Sequence, residues 1–150
     1  MYHRILVPVE NSNYDERILD HVRQLARYCG ASVVLIHVAD GWAARNIQHL
    51  NLRESEEMRD DRAYIEGLAT RLTSEGLAAE ALLATGDPSA EIAAAAERER
   101  CDLIAMSTHG HRFIADLIYG SVANAVRHMT NVPVLLLRAP AAAKQRVAVT

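Results

Sequence analysis

The 150-residue chain has only two cysteines, Cys29 at the end of a predicted helix and Cys101 just ahead of a predicted strand. With no CxxC and no second pair they supply neither a disulfide framework nor a zinc cage, and both read as reduced thiols behaving as small hydrophobes. Seven histidines do not change that. His109 and His111 flank Gly110, but no third His, Cys or carboxylate stands at a ligand spacing, so no metal site is expected. His37 sits in an apolar run and reads as a hydrogen-bonded core or interface residue. No apolar stretch approaches the roughly 20 residues that cross a bilayer, and no basic-plus-apolar leader precedes the first strand, so no membrane partner is expected and the cytoplasm is the expected location. Lys and Arg number 16 against 19 Asp and Glu, for a formal net charge of −3, and the cations are scattered. The basic stripe that tracks a phosphodiester backbone is missing, which argues against nucleic acid as a partner. GxxxxGKS/T and GxSxG are missing too, so there is no P-loop lysine and no nucleophile elbow, and no catalytic residue is assigned.

Half of the positions are apolar, enough for one domain of this length to bury about two-thirds of its unfolded surface. Short apolar runs alternate with longer segments of helical period, the pattern of an α/β fold whose parallel sheet is covered on both faces. Strands are predicted at Arg4 to Val9, Ser32 to Ala39, Ala79 to Thr85, Asp102 to Ser107 and Val132 to Leu137. The first helix spans about Tyr14 to Tyr28, capped by Ser12 or Asn13, burying Ile18, Leu19, Val22, Leu25 and Ala26, and stopped by Gly30. The second, about Arg53 to Ser74, turns Met58, Tyr64, Ile65, Leu68, Ala69 and Leu72 inward and its charges outward. The third begins after Gly86-Asp87-Pro88, with Pro88 suited to a first turn, and is alanine-rich through Ala96. Asp40 to Leu52 matches neither period, and an unassigned connection of that length is more often functional than filler. Right-handed crossovers arrange the five strands 3-2-1-4-5, with helices on both faces. A single domain is expected over 1–138, with 139–150 a flexible C-terminal tail.

The most telling stretch is Asp102 to Arg138. There an apolar strand runs into Ser107-Thr108-His109-Gly110, and nine residues later Gly120-Ser121 opens a helix that leads to the apolar run Val132 to Leu137. Gly110 and Gly120 let a ligand approach the backbone without a Cβ in the way. Ser121 is placed as an N-cap, and the helix start, with its dipole behind it, favours an anion such as phosphate. His111 and Arg112 stand beside it as phosphate-side donors. In the 3-2-1-4-5 order the chain reverses between strands one and four, where open α/β sheets bind ligands. One rim of that crevice is Pro8, Val9 and Glu10; the other is Met106, Ser107 and Thr108. Glu10 can accept from a ribose hydroxyl or hold a divalent cation through water, and Val38 can wall a base. Plainer readings stand beside these: turn geometry for the glycines, solvated loop for Glu10, His111 and Arg112, ordinary core for Val38.

These segments, with RILVPVENS near the N-terminus and VVLIHV at Val33 to Val38, resemble the universal stress protein family over roughly residues 2–138. ATP-binding members carry GxxG, nine residues, then Gly-Ser or Gly-Thr. Here Ser107 stands for the first glycine, Glu10 for the usual strand-one Asp, Asn11-Ser12 for a Gly-Ser pair, and Phe113 for a further glycine found in many relatives. The resemblance implies a Rossmann-like domain of the adenine nucleotide alpha hydrolase type. It also implies a stress-linked regulator that binds ATP or another adenine nucleotide, accompanied by Mg²⁺, without efficient catalysis; at most, Glu10 or His109 orients a water for slow hydrolysis. Pro8, Val38 and Met106 match positions on the adenine-ribose side. His109, Gly110, His111, Arg112, Gly120 and Ser121 fall on the phosphate side, followed by Val122 and Ala123, and Val9, Glu10 and Ser107 complete the candidate set. The family is commonly dimeric, and the last strand, Val132 to Arg138, is an edge that pairing with a second copy would cover. Protein partners are unidentified. Two readings stay open: a nucleotide-responsive homodimer, and a nucleotide-free dimeric interaction module whose pocket is narrowed by Ser107 and Phe113. An adenylyl-transfer enzyme would share the fold, on which function cannot be argued.

Overall fold

The computed structural model describes residues 1–40, 53–108 and 121–138. Along them strand and helix alternate as β1 (Arg4–Pro8), α1 (Asp15–Cys29), β2 (Ser32–Asp40), α2 (Arg53–Ser74), β3 (Ala79–Gly86), α3 (Pro88–Arg98), β4 (Leu103–Ser107), α4 (Ser121–Met129) and β5 (Val134–Leu137). The strands form one parallel sheet in the order β3-β2-β1-β4-β5, the order expected from right-handed crossovers. The long connection after Asp40, the turn around Gly110 and the C-terminal tail lie outside the described residues.

Successive strand residues face opposite sides, so a strand buried on both faces must be apolar at every position. β1 meets that demand with Ile5, Leu6 and Val7, all fully buried. Ile5 and Val7 join Val33, Leu35, Leu103 and Ala105 beneath α1 and α2. Leu6 turns the other way, with Val34, Ile36, Ile104 and Met106, beneath α3 and α4. The α1 stripe is Ile18, Leu19, Val22 and Ala26, with Leu25 at its margin, and the α2 stripe is Ile65, Leu68, Ala69 and Leu72, with Tyr64 at its margin. Met58 is only half-buried. In α3 the fully buried Ala95 and Ala96 bring the helix close to the sheet.

Several boundaries differ from expectation, each for a polar reason. β4 begins after Asp102, whose carboxylate accepts from the Arg4 N–H at 3.0 Å and the His3 N–H at 2.8 Å. Burial alone would raise the pKa of Asp102, but those bonds and the His3 ring hold it below the usual carboxyl range. β5 begins after Pro133, which has no N–H to donate, although its carbonyl accepts from Ile104 at 2.9 Å. α1 begins one residue later than expected and has no side-chain cap at Tyr14. Ser12 instead lies outside the helix and accepts from the Tyr14 N–H at 3.3 Å. Gly30 ends α1 in the left-handed conformation at φ 69°, as its position suggested.

α3 is capped by Asp87, which accepts from the Ala90 N–H at 2.9 Å and the Ser89 hydroxyl at 2.7 Å, with Pro88 in the first turn. Those two bonds lower the Asp87 pKa. Replacing it, Asp87→Ala, is expected to cost about 1 kcal/mol in urea denaturation. A carboxyl depressed on folding contributes stability above its ordinary value of 3.8 and loses that contribution as pH falls through the lower folded value. The difference between wild type and variant should therefore shrink in strong acid. Both cysteines are free, Cys29 half-buried and Cys101 buried, and burial is the main reason that the Cys101 thiol is pushed up to about 11. Titration with an aromatic disulfide at mildly alkaline pH should modify Cys29 first and leave Cys101 unreacted until the chain is unfolded.

Candidate functional site

The ladder between the two central strands, β1 and β4, is short. The β1–β4 register runs Ile5 to Leu103 and Leu6 to Ile104. The flanking ladders continue further, to Pro8 opposite Ile36 and to Ser107 opposite Leu137. The β1–β4 ladder thus ends early at the point where strand order reverses, the place where open α/β sheets bind ligands.

Strand alternation decides which face of the sheet each side chain at these strand ends takes. Pro8, Val38 and Met106 share the parity of Leu6, Ile36 and Ile104, and so belong to the α3–α4 side of the sheet. Val38 is half-buried against that core, Met106 is buried, and Val122 and Ala123 approach from the first turn of α4. Ala123, with no side chain beyond Cβ, is buried there. Five of the sequence-predicted residues are thus brought to one apolar wall. Val9 belongs elsewhere: its side chain is in the core beneath α1 and α2. Its backbone is also engaged, the N–H donating to Ile36 and the carbonyl accepting from the His37 ring, each at 2.9 Å. Ser107 ends β4 on the parity of Leu103 and Ala105. Ser121 is the first residue of α4 rather than the residue before it, and is exposed, as is Glu10. His109, Gly110, His111, Arg112, Phe113 and Gly120 lie outside the described residues. Among the described residues no three His, Cys, Asp or Glu side chains form a group that could hold a metal ion.

Glu10 stands on the β1–α1 loop, and two carboxylates that shape this loop, Asp15 and Asp61, were not singled out in the sequence. Asp15 is 3 % exposed. Its carboxylate accepts from the Glu10 N–H at 3.0 Å, the Ser12 N–H at 3.1 Å and the Tyr64 hydroxyl at 2.6 Å. Burial, and then the bond to Asp15, push the Tyr64 phenol well above its ordinary value, so the hydroxyl stays a donor. Asn11 adopts φ 62°, a conformation that suits glycine and that asparagine tolerates, and its amide donates to Asp61 at 3.3 Å. The other Asp61 oxygen lies 3.2 Å from His37 Nε2, while His37 Nδ1 meets the Val9 carbonyl. His37 is therefore the hydrogen-bonded residue expected of it. A signal for Asp15 was present: Ser12-x-x-Asp15 ahead of Ile18 has capping-box spacing, and the carboxylate does reach back to the Ser12 N–H. Nothing in the local sequence pairs Tyr64 or Asp61 with a loop some 50 residues away.

The model for the universal stress protein family matches residues 1–138. A universal stress protein of Methanocaldococcus jannaschii is 26 % identical, over 92 % of this chain and 96 % of the relative. The solved structure of that protein superposes with a TM-score of 0.83 at 28 % identity, over 93 % of this chain and 97 % of the other. A universal stress protein solved in complex with cAMP superposes at 0.67 with 20 % identity, over 91 % and 97 % of the two chains. One from Archaeoglobus fulgidus in complex with dAMP superposes at 0.63 with 23 % identity, over 90 % and 97 %. The alternating core, the 3-2-1-4-5 sheet and a family match across all the described elements lead to one conclusion: the chain belongs to the universal stress protein family.

Proposed function

We propose that this protein is a cytoplasmic, homodimeric regulator that binds an adenine nucleotide, ATP foremost and with Mg²⁺, in the crevice between β1 and β4, and that acts through occupancy rather than turnover. The observation that carries this reading is the early end of the β1–β4 ladder beside one apolar wall of Pro8, Val38, Met106, Val122 and Ala123. An adenine ring needs apolar surface to pack on, and the apolar groups on this side of the sheet support that reading. The start of α4 offers the other half of a nucleotide site, since N–H groups at a helix N-terminus and the helix dipole favour phosphate. Glu10, exposed just beyond the end of β1, would accept from a ribose hydroxyl or hold a hydrated cation. Solved relatives in complex with cAMP and dAMP support an adenine mononucleotide unit as the shared ligand chemistry. For the dimer, the support is β5, an edge strand that leaves Leu136 40 % exposed. Among the described residues no helix is long and apolar enough to cross a membrane.

Calorimetry with ATP, ADP and AMP in Mg²⁺, on protein refolded to strip any carried-over nucleotide, tests the site. The expected dissociation constant is on the order of 1–100 μM, weakened at least about tenfold in Ser121→Trp with its melting temperature unchanged. No binding up to millimolar nucleotide would leave the dimeric interaction module, with Ser107 and Phe113 narrowing the pocket, as the better reading. For the dimer, Leu136→Asp should convert the sedimenting species from dimer to monomer, and an unchanged sedimentation coefficient would exclude β5 as the interface.

A further inference from the structure

The Glu10 loop does not hold its shape by itself. Two side chains of α2, Asp61 and Tyr64, sit three residues apart and so on one face of that helix, and both reach the loop. Tyr64 does so through the Asp15 carboxylate, which gathers the Glu10 and Ser12 N–H groups. Asp61 does so through Asn11, whose backbone is left-handed, and through His37, which is bonded to Val9. The loop is thus tied from inside and from above at four consecutive residues, Val9 to Ser12. A buried carboxylate gathering three donors is a rigid anchor, because each donor released would leave charge poorly compensated in a low-dielectric site.

We propose that Asp15 and Tyr64 are positioning residues for the nucleotide site: the Tyr64 hydroxyl fixes the Asp15 carboxylate, which fixes the backbone that carries Glu10 at the crevice rim. This rests on the nucleotide reading above. It makes α2 part of the site although α2 packs on the face of the sheet opposite the apolar wall, and it couples ligand binding at β1 to the seating of α2 on the sheet. Such coupling is reciprocal, so a nucleotide that engages Glu10 also tightens the Tyr64 contact.

The test compares wild type with Tyr64→Phe, which removes only the hydroxyl, and with Arg27→Gln. The latter cuts a tie between α1 and Glu75, beyond the end of α2 and far from the loop. Amide hydrogen exchange at Glu10 and Ser12 is read by NMR, and ATP affinity by calorimetry. In Tyr64→Phe, exchange at these two amides should accelerate about tenfold while Leu6 and Val7 stay protected, and ATP should bind about three- to tenfold more weakly. Arg27→Gln should match wild type in both. Unchanged exchange in Tyr64→Phe, or an equal effect in Arg27→Gln, would overturn the positioning role while ATP binding by wild type leaves the nucleotide reading standing. Accelerated exchange with undiminished ATP affinity would overturn it as well, since the loop position would then not matter to the ligand. A wild type that binds no ATP is the separate failure of the nucleotide reading and takes this proposal with it.

Discussion

The side-chain alternation of β1, a strand hydrogen-bonded on both edges and covered on both faces, governs where the other functional groups end up. A slip of one residue in its pairing would exchange the two cores, and Ile5 to Val7, Val33 to Ile36 and Leu103 to Met106 are each committed to one core or the other. That parity puts Pro8, Val38 and Met106 on the α3–α4 side as an apolar wall, and it puts Val9 and His37 on the α1–α2 side, where the first packs and the second bonds to α2. The wall and the scaffold of the candidate site are thus opposite faces of the same strand ends. The β1–β4 ladder stops short of these strand ends, at the switch in strand order.

Where strands end, backbone N–H groups lose their ladder partners and must find others. Three aspartates meet this need at three corners of the molecule. Asp102 gathers the N–H groups of His3 and Arg4 at the start of β1, Asp87 takes that of Ala90 at the start of α3, and Asp15 takes those of Glu10 and Ser12 where β1 turns into α1. The first two lie at solvent-facing edges, and their pKa values are lowered. Asp15 differs in being buried and in adding a side-chain donor from a separate helix. That difference turns a local turn device into a tie between the loop and α2.

The strands and helices were legible because periods of 2 and 3.6 follow from the geometry of burial, and this chain obeys them with few exceptions. The errors fall at boundaries where a polar group redirects the backbone, as at Asp102, Pro133 and Tyr14. The α4 side of the candidate site was proposed from the sequence for a different reason. Glycine and serine at a helix start carry a local meaning, and topology independently points to the same strand ends. Asn11 shows how local signals can also mislead. As a replacement for glycine it looked like a departure from the family pattern, yet it occupies the left-handed conformation that the turn requires and adds a bond to Asp61.

By itself the sequence determined the α/β class, the sheet order, the apolar faces and the membership that the family match bears out, because all of these rest on periodicity and on residues close together in the chain. It did not determine which acids and phenols would meet. Asp15 with Tyr64, Asn11 with Asp61 and Asp61 with His37 are contacts between residues about 50, 50 and 24 positions apart. They exist only once α2 has been laid across the sheet beside α1. Only the tertiary structure could decide them, since a hydrogen bond depends on ångström-scale placement of both partners, and no single segment of the chain holds both.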